Sequence, residues 1–141
     1  MTTPRRWQRV SAYGLARRES AVLMVRIGDD THGDVDKWML PGGGVDHGED
    51  PADTVVREFA EETGYHVQVD ALLEVGSDHR LLPSGVDFHG VFALYAVSVI
   101  SGTTRDEPDG STTAPTWVGE SDIARLPMLV AVRHMLQRHL R

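Results

Sequence analysis

The stretch from Asp50 to Gly64 admits one local structure. Asp50 has the short oxygen-bearing side chain that caps exposed N–H groups at a helix start. Pro51 follows where a missing N–H costs nothing, and Asp53 puts negative charge in the first turn. Gly64 supplies the left-handed residue on which helices commonly end. Between these marks Ala52, Val55, Val56, Phe59, Ala60 and Thr63 recur at the helical period and share one face. The spacing predicts a helix with an apolar stripe that must be buried on a core.

The rest of the chain reads mostly as strands. Val10–Ala16 and Ala21–Ile27 are apolar runs separated by Arg17–Ser20, the length of a hairpin connection. Lys37–Leu40 is a short strand that Pro41 and the glycines at 42–44 should end. Val67–Leu73 is another, then a loop rich in turn residues leads to Phe88–Ile100, the longest apolar run and the expected central strand. Ser101–Thr116 is polar and punctuated by Gly and Pro, and reads as a flap over an active site. Trp117-Val118 gives a short strand, Ser121–Leu126 a helical turn and Met128 to about Leu140 a closing helix. Strands before, between and after two separated helices predict an α/β fold, a mixed central sheet with a helix on each face. The 141 residues suit one domain spanning 1–141.

Composition removes several classes of function. With no cysteine, the chain has no disulfide framework, thiolate zinc site or cysteine nucleophile. No apolar run approaches the roughly 18 residues of a membrane span, and Met1–Trp7 lacks the apolar core of a secretion signal. The expectation is a cytoplasmic protein without a membrane partner. Lys plus Arg is 14 against 21 for Asp plus Glu, a net charge of −7. That sign argues against docking on a nucleic-acid polymer. A small anionic substrate stays open if a divalent cation stands between it and the protein's carboxylates.

The helix carries the acids that would hold such a cation. At about 100° per residue, Glu62 lies about 40° to one side of Glu58 and Glu61 about 60° to the other. The three carboxylates share an arc that begins where the apolar stripe ends, so they border the buried seam. Like charges at these spacings repel by roughly 0.2–0.5 kcal/mol per pair on an exposed helix, and by more where water is scarce. Arg57 flanks the arc and can neutralise one acid. Mg²⁺ or Mn²⁺, hard cations that prefer oxygen ligands, would suit the whole cluster. On an arbitrary helix three glutamates would be a solvated face. Here Leu40-Pro41-Gly42-Gly43-Gly44 stands just upstream, where bare backbone can approach a ligand or metal.

Gly43, Glu49, Arg57-Glu58, Glu61-Glu62 and Gly64 fit the pattern Gly-x5-Glu-x7-Arg-Glu-U-x-Glu-Glu-x-Gly-U, with U a bulky apolar residue. The stretch from Gly43 to Tyr65 resembles the Nudix box, and the chain resembles the MutT-like Nudix hydrolases. Phe59 and Tyr65 stand at the two U positions, where aliphatic residues are commoner. The resemblance implies a Nudix-type α/β/α sandwich, divalent-metal dependence with Mg²⁺ or else Mn²⁺, and hydrolysis of a nucleoside diphosphate linked to another moiety. A nucleoside triphosphate, an oxidised nucleotide and ADP-ribose are the substrate types it leaves open. The competing reading is a sensor that binds a nucleotide on this fold without cleaving it. Many relatives are dimers, so a homodimer is also open.

Carried over by position, the resemblance makes Glu58 and Glu62 metal ligands and Glu61 either a ligand or the group that takes the water's proton. The carbonyl of Gly42 is the expected backbone ligand, with Gly43 beside it. Arg57 resembles the arginine that holds a box glutamate in place, and Glu49 the acid that pairs with it. The chain departs from many relatives just before Trp117, where they supply a further carboxylate and this sequence reads Thr112-Thr113-Ala114-Pro115-Thr116. Asp106, Glu107 and Asp109 in the preceding flap are the candidate substitutes, Glu107 also for substrate contact, and the general base stays open.

Other candidates rest on residue type. All but Lys37 of the 14 basic residues are arginine, suited to bidentate phosphate contacts. Arg17, Arg18, Arg26 and Arg80 are candidates, Arg26 chosen for the site. Tyr13, Trp38, Phe88 and Trp117 could stack on a base, although packing is the default for aromatics in strands. Of the seven histidines none has metal-ligand spacing, and His89, near the start of the long strand, is the one expected to face substrate.

Overall fold

Helix α1 (Pro51–Thr63) forms where its punctuation requires. The Asp50 carboxylate accepts from the Ala52 N–H at 3.0 Å, and Gly64 closes the helix at φ 83° with its N–H on the Ala60 carbonyl. Val55 and Phe59 are fully buried, each contributing about 1.5–3 kcal/mol of apolar transfer. The Phe59 ring lies where a side chain on Gly14 would otherwise stand, so a glycine in the strand beneath brings helix and sheet together. The structure is a computed structural model that describes residues 3–28, 33–104 and 112–140, the side chains of the last stretch from residue 115.

The strands are β1 (Arg6–Arg18), β2 (Ala21–Ile27), β3 (Trp38–Met39), β4 (Gly42–Gly44), β5 (Tyr65–Leu81), β6 (Asp87–Gly102) and β7 (Thr112–Gly119). Two further helices follow, α2 (Glu120–Ile123) and α3 (Val130–His139). The mixed seven-stranded sheet runs β3-β2-β1-β6-β5, with β4 on β1 and β7 on β2. The β1–β6 pairing is parallel from Arg6↔Asp87 to Ala16↔Val97, and the other strand pairings are antiparallel. Side chains alternate between two cores. Leu15, Met24, Phe92 and Leu94 pack with Val132, Met135 and Leu136 of α3. Ala12, Ala16, Leu23 and Val97 pack with Val55 and Phe59 of α1. The helix-on-each-face expectation is met. Among the described residues no helix is long and apolar enough to cross a membrane.

Several element boundaries differ from the sequence expectation, for identifiable reasons. The glycines at 42–44 do not merely end β3; they form β4, paired Ser11↔Gly44 to Tyr13↔Gly42. This insertion limits the β1–β2 hairpin to Arg17↔Val22 and Arg18↔Ala21 before the strands part. The expected loop after Leu73 is a continuation of β5 to Leu81, because backbone pairing with β6 persists despite the turn-type residues Gly76, Ser77 and Asp78. Gly76 leaves room there for the Phe92 ring. The real turn is at Leu82–Val86, with Gly85 at φ 87°. The 101–116 flap is shorter than expected, since Ser101-Gly102 end β6 and Thr112–Thr116 open β7. Pro115 sits where the β2–β7 register shifts between Met24 and Arg26, a break that spares its missing N–H. Helix α3 begins at Val130, and the helical turn at Glu120.

Candidate active site

Arg57 organises the acid end of the site. Its Nε and Nη2 donate to the two oxygens of Glu49, each at 2.9 Å, across the turn into α1. Nη1 donates to Glu58 Oε1 at 3.0 Å and to Glu61 Oε2 at 3.3 Å, and Nη2 to the Gly44 carbonyl at 3.2 Å. Glu49 also accepts from the Thr54 hydroxyl at 2.6 Å and the Asp46 N–H at 3.1 Å. Arg57, then Thr54 and that N–H, hold the Glu49 carboxyl at about 2. Arg57 is in turn pushed above its ordinary value, chiefly by Glu49.

The three glutamates of the arc are buried to different depths, in the order their angles to the apolar stripe require. Glu62 is 2% exposed, the Glu58 side chain 15% and the Glu61 side chain 50%. Glu62 accepts from the Gly42 N–H at 2.8 Å, tying helix to glycine strand. Burial raises the Glu58 carboxyl above its usual value, Arg57 pulls the other way, and Glu61 adds repulsion. Gly43 lies so close that a Cβ there would stand 2.7 Å from Glu58 Oε1. At Gly42 φ is 151° and a Cβ would collide with the Ala12 carbonyl. Both positions require glycine for the carboxylates and the backbone to meet.

One guanidinium cannot balance Glu49, Glu58, Glu61 and Glu62. The surplus is an all-oxygen donor set, partly desolvated, which fits a hard divalent cation held by Glu58, Glu61, Glu62 and the Gly42 carbonyl. Among the described residues no three His, Asp or Glu groups already converge as a finished cage. Arg57 and the Gly42 N–H share the carboxylates among themselves instead.

These acids open into a cavity of about 420 Å³. Next to them it is lined by Arg9, Ser11 and Tyr13 of β1. The Arg9 guanidinium lies over Gly44, in space a side chain would fill. Among the described residues it has no carboxylate within ion-pair distance. Burial raises the Tyr13 hydroxyl above its usual value. One wall is apolar, made by Met39, Leu40, Leu129, Val132 and Met135, and the far end holds Asp34, Asp78, Arg80 and Phe88. Burial works to raise the Asp34 carboxyl, but Arg80 and Lys37 outweigh it and leave it below its usual value.

The structure thus brings together Gly42, Gly43, Glu58, Glu61 and Glu62, with Arg57 and Glu49 behind them. It does not bring in Arg26, whose exposed side chain lies 3.8 Å from Asp36. His89 is not a lining residue either: Phe88 and Gly90 line the cavity, and His89 instead bonds Gln8 at 2.9 Å and stands edge-on to His79. Glu107, Asp106 and Asp109 lie outside the described residues. Of the stacking candidates, Tyr13 and Phe88 line the cavity. Trp117 is used elsewhere, bonding Tyr65 Oη at 3.0 Å with Arg18 4.2 Å over its ring. Arg9 and Asp34 also line the cavity and were not among the sequence candidates. Period-two alternation from Ala12, which faces α1, would have placed Arg9 with Ser11 and Tyr13 on the opposite face; nothing local marks Asp34.

A family model described as the NUDIX domain matches residues 5–139. A Bacillus subtilis (strain 168) protein, YjhB, whose assignment as an ADP-ribose pyrophosphatase is itself provisional, is 34% identical over 89 residues, covering 63% of this chain and 40% of its own. An RNA pyrophosphohydrolase of Brucella ovis is 47% identical over 51 residues, 36% of this chain and 28% of its own. The chain therefore spans well under half the length of these curated relatives. Among solved structures, a MutT NUDIX hydrolase from Burkholderia pseudomallei superposes with a TM-score of 0.78 at 26% identity, covering 94% of this chain and 98% of that one.

Proposed function

Because the chain belongs to the NUDIX family, matched over residues 5–139, we propose that it is a Mg²⁺-dependent hydrolase cleaving the pyrophosphate linkage of a nucleoside diphosphate derivative. The observation that carries this reading is the meeting of two unlike groups in one cavity: the carboxylates of α1 and the Arg9 guanidinium, which has no carboxylate partner among the described residues. Carboxylates alone would repel a diphosphate, and the family generally uses divalent metal ions. Glu58, Glu62 and the Gly42 carbonyl would hold the ion. When bound, it supplies positive charge against the diphosphate and makes water easier to deprotonate.

The chain's own residues do the rest. Arg57 fixes the Glu58 carboxylate through Nη1 while Glu49 fixes Arg57, so the ligand geometry is set before substrate arrives. Glu61, half exposed at the cavity, is placed to hold the ion or to take the proton of the attacking water. Arg9 donates to phosphate oxygens and keeps the charge that develops there from facing only carboxylates. The wall of Met39, Leu40, Leu129, Val132 and Met135 covers the nucleoside and excludes water.

The test is a panel of a nucleoside triphosphate, 8-oxo-dGTP, ADP-ribose, a nucleotide sugar and a dinucleoside polyphosphate, each incubated with Mg²⁺ or with EDTA and resolved by chromatography. The expected product is a nucleoside monophosphate from at least one class, appearing with Mg²⁺ and not with EDTA. Tight nucleotide binding with no product in any class would overturn hydrolysis in favour of a sensor.

A further inference from the structure

Tyr13 lines the cavity beside the acids. Its residue type suggests stacking on a base, but the structure gives its ring other neighbours. The ring lies against Gly42, where an added Cβ would stand 2.6 Å from Tyr13 Cδ1. Phe92 stands edge-on to it with ring centroids 6.4 Å apart, and Phe92 belongs to the core under α3. What the residue offers a ligand is its hydroxyl.

That hydroxyl lies within hydrogen-bonding reach of Ser11, two residues back on the same face of β1. The charges that act on it are those of Arg9, Glu62 and Glu58, and its own oxygen is felt at Arg80. In register Ser11 stands opposite Gly44 and Tyr13 opposite Gly42, so the two hydroxyls run beside the glycine strand that Glu58 and Glu62 meet. Arg9, the next cavity-facing residue of β1, lies over Gly44. An anion held between the acids and Arg9 therefore passes the Tyr13 hydroxyl.

The residue type suits this place. A second cationic side chain between Glu58, Glu62 and Arg9 would pair with the carboxylates and be lost to substrate, as Arg57 is to Glu58 and Glu61. A further carboxylate would repel phosphate. A phenol is uncharged, and it can accept from Ser11 while donating its own proton to an anion. Ser11 is 8% exposed, so its hydroxyl is sheltered from water and free to orient the phenol. Donation to an ionised oxygen is the stronger kind of hydrogen bond.

We propose that Tyr13 is a substrate-binding residue whose hydroxyl, oriented by Ser11, donates to a non-bridging oxygen of the diphosphate beside Arg9. The inference rests on the reading of this cavity as the diphosphate site and adds an uncharged donor to it. The contact is made to the diphosphate and not to the base, so it serves whatever moiety the diphosphate carries.

The experiment measures binding by calorimetry with Mg²⁺ present, using two probes whose bridging carbon resists hydrolysis: methylenediphosphonate and α,β-methylene-ADP. Tyr13→Phe keeps the ring against Gly42 and removes only the hydroxyl, so its melting temperature should match that of the wild type. Its affinity for both probes should fall about tenfold. KM for the best nucleotide substrate should rise by a similar factor while kcat stays within about threefold, the pattern of a contact made equally in ground and transition states. Ser11→Ala, which releases the phenol, should weaken both probes by a smaller factor of about threefold. Absence of methylenediphosphonate binding to the wild type, or an affinity for it that Tyr13→Phe leaves unchanged, would overturn the inference. Diphosphonate binding that depends on Tyr13, in a protein that turns over no nucleotide, would uphold it while the hydrolase reading failed.

Discussion

At the acid end of the cavity Glu49, Arg57, Glu58, Glu61 and Glu62 come from one continuous stretch, Glu49 to Glu62, and share the Arg57 guanidinium. At the far end Asp34 and Lys37 arrive from the segment before β3 and Asp78 and Arg80 from β5, and the two acids and two bases balance. The first region carries surplus negative charge, partly relieved by burial raising the Glu58 carboxyl above its usual value. The second carries paired charges, Arg80 Nη2 2.7 Å from Asp34 Oδ2 and Lys37 Nζ 3.1 Å from Asp34 Oδ1. On the proposed function the first would hold an ion for chemistry while the second is a set of buried ion pairs, and substitutions in the two should fail in different ways.

Removing the hub should have the largest effect. Arg57→Ala strips Glu49 of its bidentate partner and leaves Glu58 and Glu61 repelling each other. Turnover should fall by about 100-fold or more, and the melting temperature should drop less with Mg²⁺ present than with EDTA, since the ion takes over part of the charge balance. An equal drop in both conditions would break the contrast between the two ends. Gly43→Ala comes next: the added methyl meets Glu58 Oε1, so kcat should fall about tenfold or more as the carboxylate is displaced while circular dichroism stays that of the wild type.

Acid should act through the acids held below their ordinary values, one at each end, while Glu58, raised by burial, works the other way. Glu49 is held at about 2, and Asp34 also lies below its ordinary value. Each binds a proton more weakly folded than unfolded. Their contribution is therefore present above the ordinary carboxylate range and lost as pH falls through it toward 2. Urea midpoints should be level from pH 7 to about 5 and decline below about 4; a decline beginning near neutrality would mean these acids are not the groups involved. The smallest effect is expected from Arg26→Ala, because that side chain lies outside the cavity with a loose, exposed partner in Asp36. Its kcat/KM should stay within about twofold of wild type, as surface pairs contribute little.

What could be read in advance follows the same division. Helix α1 and its acids were legible because cap, stripe and arc are set by spacing within one helix, and the burial order of Glu62, Glu58 and Glu61 follows from their angles to Val55 and Phe59. The β-sheet layers were legible from apolar runs. Pairing was not: that Gly42–Gly44 would insert against β1 depends on a strand far from it in sequence. The extension of β5 past Gly76 likewise depends on β6 as its template. Asp34 is unremarkable in sequence and becomes notable only through Arg80, brought to it by tertiary structure. His89 was chosen by residue type, and its ring is engaged instead with Gln8 and His79.

The most direct test of the account is nucleoside monophosphate release from the best substrate as a function of Mg²⁺, for the wild type and Glu62→Gln. Glu62 is buried and bonded to the Gly42 N–H, and the isosteric amide changes its charge with little change of shape. The account predicts Mg²⁺-dependent turnover in the wild type and a loss of about 100-fold or more in the variant at an unchanged fold. Wild-type turnover in Glu62→Gln across the Mg²⁺ range would contradict it.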